Sequence, residues 1–376
     1  MKWRVSLVGL AAAAMLAACG GGGGDGLQPQ VYVAGDSLND VGVFGRRSTV
    51  QSADTSNPYK VWVDHVAANA GVASLCAAYD GNAAFAPKAG CTGYAVGGAQ
   101  INPVTLQRTS GLVSGAVIGS DSTPMSIVQQ IKDMAAGRTF VPQDLILIDG
   151  GGNDANALAT SLLQGLNPSN PLAAQALNAY TTVLKDLLPT ATVDAALAAA
   201  TNPSAPNPTA LIQLGGAYMQ ASAGMLTQAI QTELLTKGAQ RVVLLNLPDL
   251  SKTPALNTQP DNAKSIVSAW VQAMNAKLQA DLGTEPKVLI IDFFGTLNGW
   301  VANKGSARIG LVSLSNVTAR ACGTTPLSAC TDTALDSSGP ADWQTHLFAD
   351  DLHATPFANQ LTANHVQAQL KAKGWN

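Results

Sequence analysis

Apolar residues gather along the chain in two kinds of run. Four are short. Val31–Ala34, Asp144–Ile148, Arg241–Leu247 and Lys287–Phe293 each hold a stretch dominated by Val, Ile and Leu. Their length and β-branching predict buried strands. Between them the apolar positions recur at helical spacing. Lys60–Ala70, ended by Gly71, is a predicted helix, and Pro124–Ala136 puts Ile127, Val128, Ile131 and Met134 on one face before Gly137. Thr209–Lys237 is a long predicted helix closed by Gly238. Ala263–Leu282 gathers Ile266, Val267, Trp270, Val271, Met274, Leu278 and Leu282 on one face. Pro356–Lys373 is a closing helix, with Thr355 as N-cap, proline at the first turn and Gly374 after the last. Strands alternating with helices predict a parallel sheet covered on both faces.

The remaining stretches read differently. A further short strand is predicted within Gly93–Ala99, running into paired glycines. Residues 39–57, 102–122 and 300–345 are loop-rich, and 72–88 is irregular. Residues 155–208 are rich in alanine and leucine but broken by six prolines, which predicts short helices. That span exceeds what a strand-to-helix link requires. It reads equally as a cap over a site or as a packed insertion without a role. No internal repeat and no second domain stand out, so residues 30–376 read as one domain.

The N-terminus carries a separate message. Lys2 and Arg4 precede an apolar run ending at Ala18, too short for a comfortable membrane span. Residues 1–18 therefore read as a signal peptide. The sequence Leu16-Ala17-Ala18-Cys19-Gly20 resembles a bacterial lipoprotein signal, in which the cysteine is lipidated. Gly20 in place of aspartate implies an outer-membrane destination. Residues 19–29 then form a lipid-bearing cysteine and a glycine-rich tether. The alternative is ordinary secretion with Cys19 incidental. An exported chain can oxidise its other cysteines, Cys76, Cys91, Cys322 and Cys330. Proximity favours Cys76–Cys91 and Cys322–Cys330. Their spacing suggests no metal site. A formal net charge of −3 argues against a nucleic-acid partner.

Candidate chemistry begins where the first strand ends. Gly35 permits a tight turn, and Ser37 follows it at the carboxyl edge of the sheet, where open α/β folds bind ligands. A serine nucleophile needs a base, and the base needs an orienting group. The histidines are His65, His346, His353 and His365. His65 and His365 fall within predicted helices. Asp350 and His353 lie three apart just before the closing helix, a spacing that sets a carboxylate beside Nδ1 and leaves Nε2 for Ser37. His346 and Asp351 are the rivals for these roles. Donors for a developing oxyanion are the backbone N–H groups of Ser37 and Gly98, with Gly97 as alternative to Gly98, and the side-chain amide of Asn153.

Together Gly35-Asp36-Ser37-Leu38-Asn39-Asp40, Gly93-Tyr94-Ala95-Val96-Gly97-Gly98-Ala99, Gly151-Gly152-Asn153-Asp154 and Asp350-x-x-His353 resemble the four blocks of the GDSL, or SGNH, hydrolases, in order. The resemblance covers roughly residues 30–372. It implies a three-layer α/β/α sandwich with a parallel central sheet and ester hydrolysis without a metal or other cofactor. It maps the nucleophile to Ser37, the oxyanion donors to Ser37, Gly98 and Asn153, and the acid and base to Asp350 and His353. This sequence departs from the family in having Gly93 where asparagine is common, Asn39 for a frequent serine and Ala354 for a frequent proline.

The reading is a serine hydrolase of carboxylic esters, an esterase or lipase, with an acyl or acetyl ester as substrate and the membrane met through Cys19. An acyltransferase using the same triad is the neighbouring reading. A non-catalytic surface lipoprotein on the same scaffold is the reading from another class.

Overall fold

A computed structural model describes residues 29–102, 123–333 and 343–375. The signal segment, Cys19, most of the tether and most of the 102–122 loop lie outside these residues. The four central strands are β1 (Val31–Ala34), β2 (Leu145–Ile148), β3 (Val242–Leu245) and β4 (Val288–Ile291). They pair in the order β1-β2-β3-β4, all parallel. Every residue of β1, β2 and β3 is buried, as strands covered on both faces should be.

The short strand expected within Gly93–Ala99 is reduced to a bridge. Gly93 pairs with Val33 on one side and with Ala77 on the other. Tyr94 N–H donates to the Val33 carbonyl and Val96 N–H to that of Gly35, so the segment does run beside β1. It stops being a strand because Ala99 N–H turns back to the Val96 carbonyl and Gly97 N–H turns aside to the Asp40 carboxylate. Cys76–Cys91 closes the preceding loop, with the two Cα atoms 5.0 Å apart. It holds the Cys76 carbonyl against Gly93 N–H.

The helices are α1 (Trp62–Asn69), α2 (Ile127–Ala135), α3 (Gly152–Gly165), α4 (Ala173–Leu187), α5 (Thr190–Ala200), α6 (Thr209–Ala229), α7 (Asp261–Leu282), α8 (Phe293–Ala302) and α9 (Pro356–Lys373). Helix α6 packs on both α2 and α7, α1 packs on α9, and the whole is a three-layer α/β/α architecture. Trp270 of α7 is buried against α6, and its Nε1–H donates to the Ile212 carbonyl. Helix α6 extends through a π turn (Ile230–Leu234) and a 3₁₀ turn to Gly238, which matches the long helix expected there. Helix α9 has the expected boundaries, with the Thr355 hydroxyl accepting from Ala358 N–H.

Two further findings depart from the sequence reading. Helix α8 occupies 293–302, where a strand end and loop were expected. Asn246 Oδ1 accepts from Phe293 N–H at 2.7 Å and Phe294 N–H at 3.0 Å, and Asp292 accepts from Gly295 N–H. Those acceptors satisfy the first turn and start a helix in an apolar run too short to declare one. The loop-rich stretch also contains β5 (Asn316–Arg320), paired parallel with β6 (His346–Phe348). Residues 155–208 form helices that pack against one another and α6. Among the described residues no helix is long and apolar enough to cross a membrane.

Candidate active site

The turn after β1 is held from several sides. Gly35 N–H donates to the buried Gln130 side chain of α2 at 2.8 Å. Asn39 Nδ2 donates to the Ala34 carbonyl at 2.9 Å, which closes the turn on itself. Asp36 N–H donates to Asp149 Oδ1 at 3.0 Å, and Asp36 Oδ1 accepts from Leu38 N–H. Gly35 has φ +144°, and a Cβ there would lie 1.7 Å from Asp149 Oδ1. Only glycine leaves room for that carboxyl. Ser37 projects from this turn with its geometry fixed before any ligand arrives.

Opposite it stands the Asp350–His353 turn. His353 Nε2 is 2.9 Å from Ser37 Oγ. His353 Nδ1 is 2.8 Å from Asp350 Oδ2 and 3.0 Å from Oδ1. Asp350 Oδ1 also accepts from the backbone N–H groups of Leu352 and His353. Burial pushes the Asp350 carboxyl up, but the hydrogen bonds from the His353 ring and these backbone donors outweigh it and hold it below its ordinary value. The turn is anchored by its neighbours: Ala349 N–H meets the His353 carbonyl, and Cys322 N–H meets the Ala349 carbonyl. Cys322 is bonded to Cys330, with Cα atoms 5.7 Å apart. This second cystine thus sits one hydrogen bond from the residue preceding Asp350.

The rivals are placed elsewhere. His346 is buried within β6, and Asp351 pairs with Arg320 at 3.3 Å. His365 meets Thr296, and His65 lies on α1.

The glycine pair is also separated by its partners. Gly97 N–H donates to Asp40 Oδ2 at 2.8 Å. No hydrogen bond engages the N–H groups of Ser37 or Gly98 among the described residues. Asn153 Nδ2 donates one N–H to the Ala99 carbonyl at 2.9 Å, which orients the amide and leaves its second N–H. Gly98 lies between Gly97, where a Cβ would come within 3.9 Å of the Ser37 Cβ, and Ala99, which Asn153 touches. Asn153 and Ser37 line one cavity with His353. The Ser37 and Gly98 N–H groups and the second Asn153 amide N–H are thus left uncommitted among the described residues.

Several supporting groups were not singled out from sequence. Asp154 is buried and accepts from Ile101 and Asn102 N–H, which ties the chain after Gly98 to α3. Burial pushes its carboxyl up to about 7 despite those donors. Asp40 takes Gly42 and Val43 N–H on one oxygen and Gly97 N–H on the other. Gln130 did leave a signal, being the polar residue among Ile127, Ile131 and Met134 on the buried face of α2.

The cavity at Ser37 is about 80 Å³ and opens to solvent. Its walls beyond the polar centre are apolar: Leu247, Phe293, Leu297, Trp300, Leu347 and Phe348. It runs along the seam between the main core and a second apolar cluster. Phe293 belongs to the first, Leu297 and Leu347 to the second, and Trp300 packs against both. None of residues 155–208 lines it.

Comparison with known proteins adds one finding. The family model described as GDSL-like Lipase/Acylhydrolase matches residues 31–366. No curated protein matches the chain.

Proposed function

The chain belongs to the GDSL-like lipase/acylhydrolase family, and on that premise we propose that it hydrolyses carboxylic esters through an acyl-enzyme on Ser37. The observation that carries this reading is the continuous line Ser37 Oγ–His353 Nε2–Asp350, at 2.9 and 2.8 Å, opening on an apolar cavity. His353 takes the hydroxyl proton as Ser37 attacks the ester carbonyl. Asp350 holds the ring tautomer and stabilises the imidazolium. The N–H groups of Ser37 and Gly98 and the Asn153 amide receive the oxyanion, where removal of one donor costs about 10²–10³ in rate. His353 then protonates the departing alcohol. Water, deprotonated by His353, releases the acid and restores Ser37.

The acyl chain lies in the apolar cavity. Leaving its walls in water is unfavourable, and covering a leucine- or phenylalanine-sized side chain contributes roughly 1.5–3 kcal/mol. A linear apolar chain has the shape and chemistry to do so. The experiment is a 4-nitrophenyl ester panel from acetate to palmitate on the protein beginning after Cys19, with Ser37→Ala alongside. Hydrolysis should be lost in the variant while its circular dichroism and melting temperature stay those of the wild type. Wild-type turnover by a folded Ser37→Ala protein would overturn the nucleophile assignment. Product analysis with an alcohol competing against water separates hydrolysis from acyl transfer.

Localisation follows from residues 1–29. Cys19 anchors the mature chain to the outer membrane through its acyl chains, and the glycine run that follows spaces the domain from the surface.

A further inference from the structure

Directly beneath Ser37 lie two carboxyl groups that the reaction above does not use. Asp36 is 4 % exposed and Asp149 is 3 % exposed, and both line the Ser37 cavity. They are tied through Asp36 N–H, which donates to Asp149 Oδ1 at 3.0 Å. Asp149 Oδ2 is buried and receives no N–H or hydroxyl donor, and the two carboxyl side chains are within hydrogen-bonding reach of each other. Neither carboxyl forms an ion pair with a lysine or arginine among the described residues. The titratable groups that face the pair are Asp40 on the same loop, Asp154 on α3 and His353 across the cavity. Only His353 can carry positive charge, and its ring is already held by Asp350.

We propose that Asp149 is carried as the neutral carboxylic acid and acts as a positioning residue for the Ser37 turn. The assignment rests on reading Ser37 as the nucleophile for its catalytic consequence, but not for the proton itself. The seat decides which oxygen holds the proton. Oδ1 accepts an N–H and so stays a carbonyl-type oxygen. Oδ2 has no donor, and a buried anionic oxygen without one is strongly disfavoured. Two buried carboxylates with no cation between them retain one proton. Burial pushes both carboxyls up, and the Asp36 charge adds to burial in raising Asp149 well above its ordinary value, so the proton resides on Asp149.

Neutrality has two effects. It keeps a second negative charge away from the place where the oxyanion develops. It also prevents repulsion between Asp149 and Asp36 from opening the turn that aims Ser37. As pH rises and Asp149 ionises, both benefits are lost. The folded-state value of Asp149 is raised, so its contribution to stability is complete below the unfolded-state value and is lost as pH rises through the folded-state value.

The test compares wild type, Asp149→Asn and Asp149→Ala. Asparagine reproduces the neutral acid: its carbonyl accepts Asp36 N–H and its amide stands where the acid O–H stood. Asp149→Ala should lower kcat about 100-fold with little change in KM, by analogy with removal of one preorganised group. Asp149→Asn should restore most of that loss at neutral pH and remove an alkaline fall in kcat/KM seen in the wild type. A separate measurement needs no activity. The infrared absorption of protonated carboxyls, recorded in the Ser37→Ala background at pH 7, contains an Asp149 band beside that of Asp154, and the Asp149 band should disappear from the difference spectrum when Asp149→Asn is added. An unchanged band would overturn the protonation. The loss of that band with kcat equal in Asp149→Ala and wild type would overturn the positioning role. A failure of the ester panel with the band still lost would fall on the nucleophile reading instead.

Discussion

At the scale of single residues, the site is a set of polar groups each given one task by its partner. His353 is distinguished from His346 by reach: one meets Ser37 across the sheet edge, and the other is enclosed in β6. Asp350 is distinguished from Asp351 in the same way, since Asp351 turns to Arg320. Asp350→Asn should reduce kcat by about 10⁴, because an amide N–H facing Nδ1 favours the wrong ring tautomer. Steady-state kinetics on a folded variant checks this. The same substitution has a pH signature. Asp350 is held below its ordinary value in the fold, so its contribution to stability is present above the unfolded carboxylate range, near pH 4, and is lost as pH falls through the lower folded value. The gap in melting temperature between wild type and variant should therefore narrow as pH falls from 6 to 3. A gap that is constant over this range would contradict the Asp350–His353 linkage.

At the scale of elements, α8 supplies much of the apolar wall of the Ser37 cavity. Its first turn is started by Asn246 from the end of β3, so the helix is fixed to the same sheet edge that bears the nucleophile turn. Its Phe293, Leu297 and Trp300 face the cavity. Leu297→Phe adds a ring to a cavity wall and shortens the space. The kcat/KM for palmitate esters should fall by at least about tenfold, the scale of one to two methylenes in a hydrophobic pocket. Acetate esters should change by less than about threefold. An equal fall for both lengths would mean that the chain does not enter this slot. The two cystines act at this scale as well. Each closes a short loop, of the kind for which cross-linking is worth roughly 2–3 kcal/mol. One presents Gly93 to β1 and the other supports Ala349 beside Asp350.

At the scale of the whole molecule, a polar reaction centre and an apolar slot share the carboxyl edge of one parallel sheet, at the seam of two apolar clusters. An ester-cleaving enzyme tethered at a membrane would meet apolar esters where they partition. Cys19→Ala should move the protein from the membrane fraction to the soluble fraction of cells without lowering kcat on a short-chain ester. Fractionation with an antibody to the domain checks this, and a variant that remains in the membrane fraction would rule out Cys19 as the anchor.

The sequence by itself determined the alternation of buried strands and amphipathic helices, because burial on both faces demands uninterrupted apolar strands and a one-sided stripe demands helical spacing. It also made the four motif blocks legible, since each is a local run whose turn chemistry is carried by neighbouring residues. Tertiary structure decided what depends on residues far apart in the chain. Asp149 reaches Asp36 across a separation of 113 residues, and His353 reaches Ser37 across 316. Gly97 and Gly98 are equivalent in sequence, and only the Asp40 carboxylate consumes one N–H and spares the other. Helix α8 was hidden for the same reason: the acceptor that starts it belongs to Asn246, 47 residues earlier. Local pattern records what a residue prefers, while long-range hydrogen bonds and shared burial decide which preferences are met together.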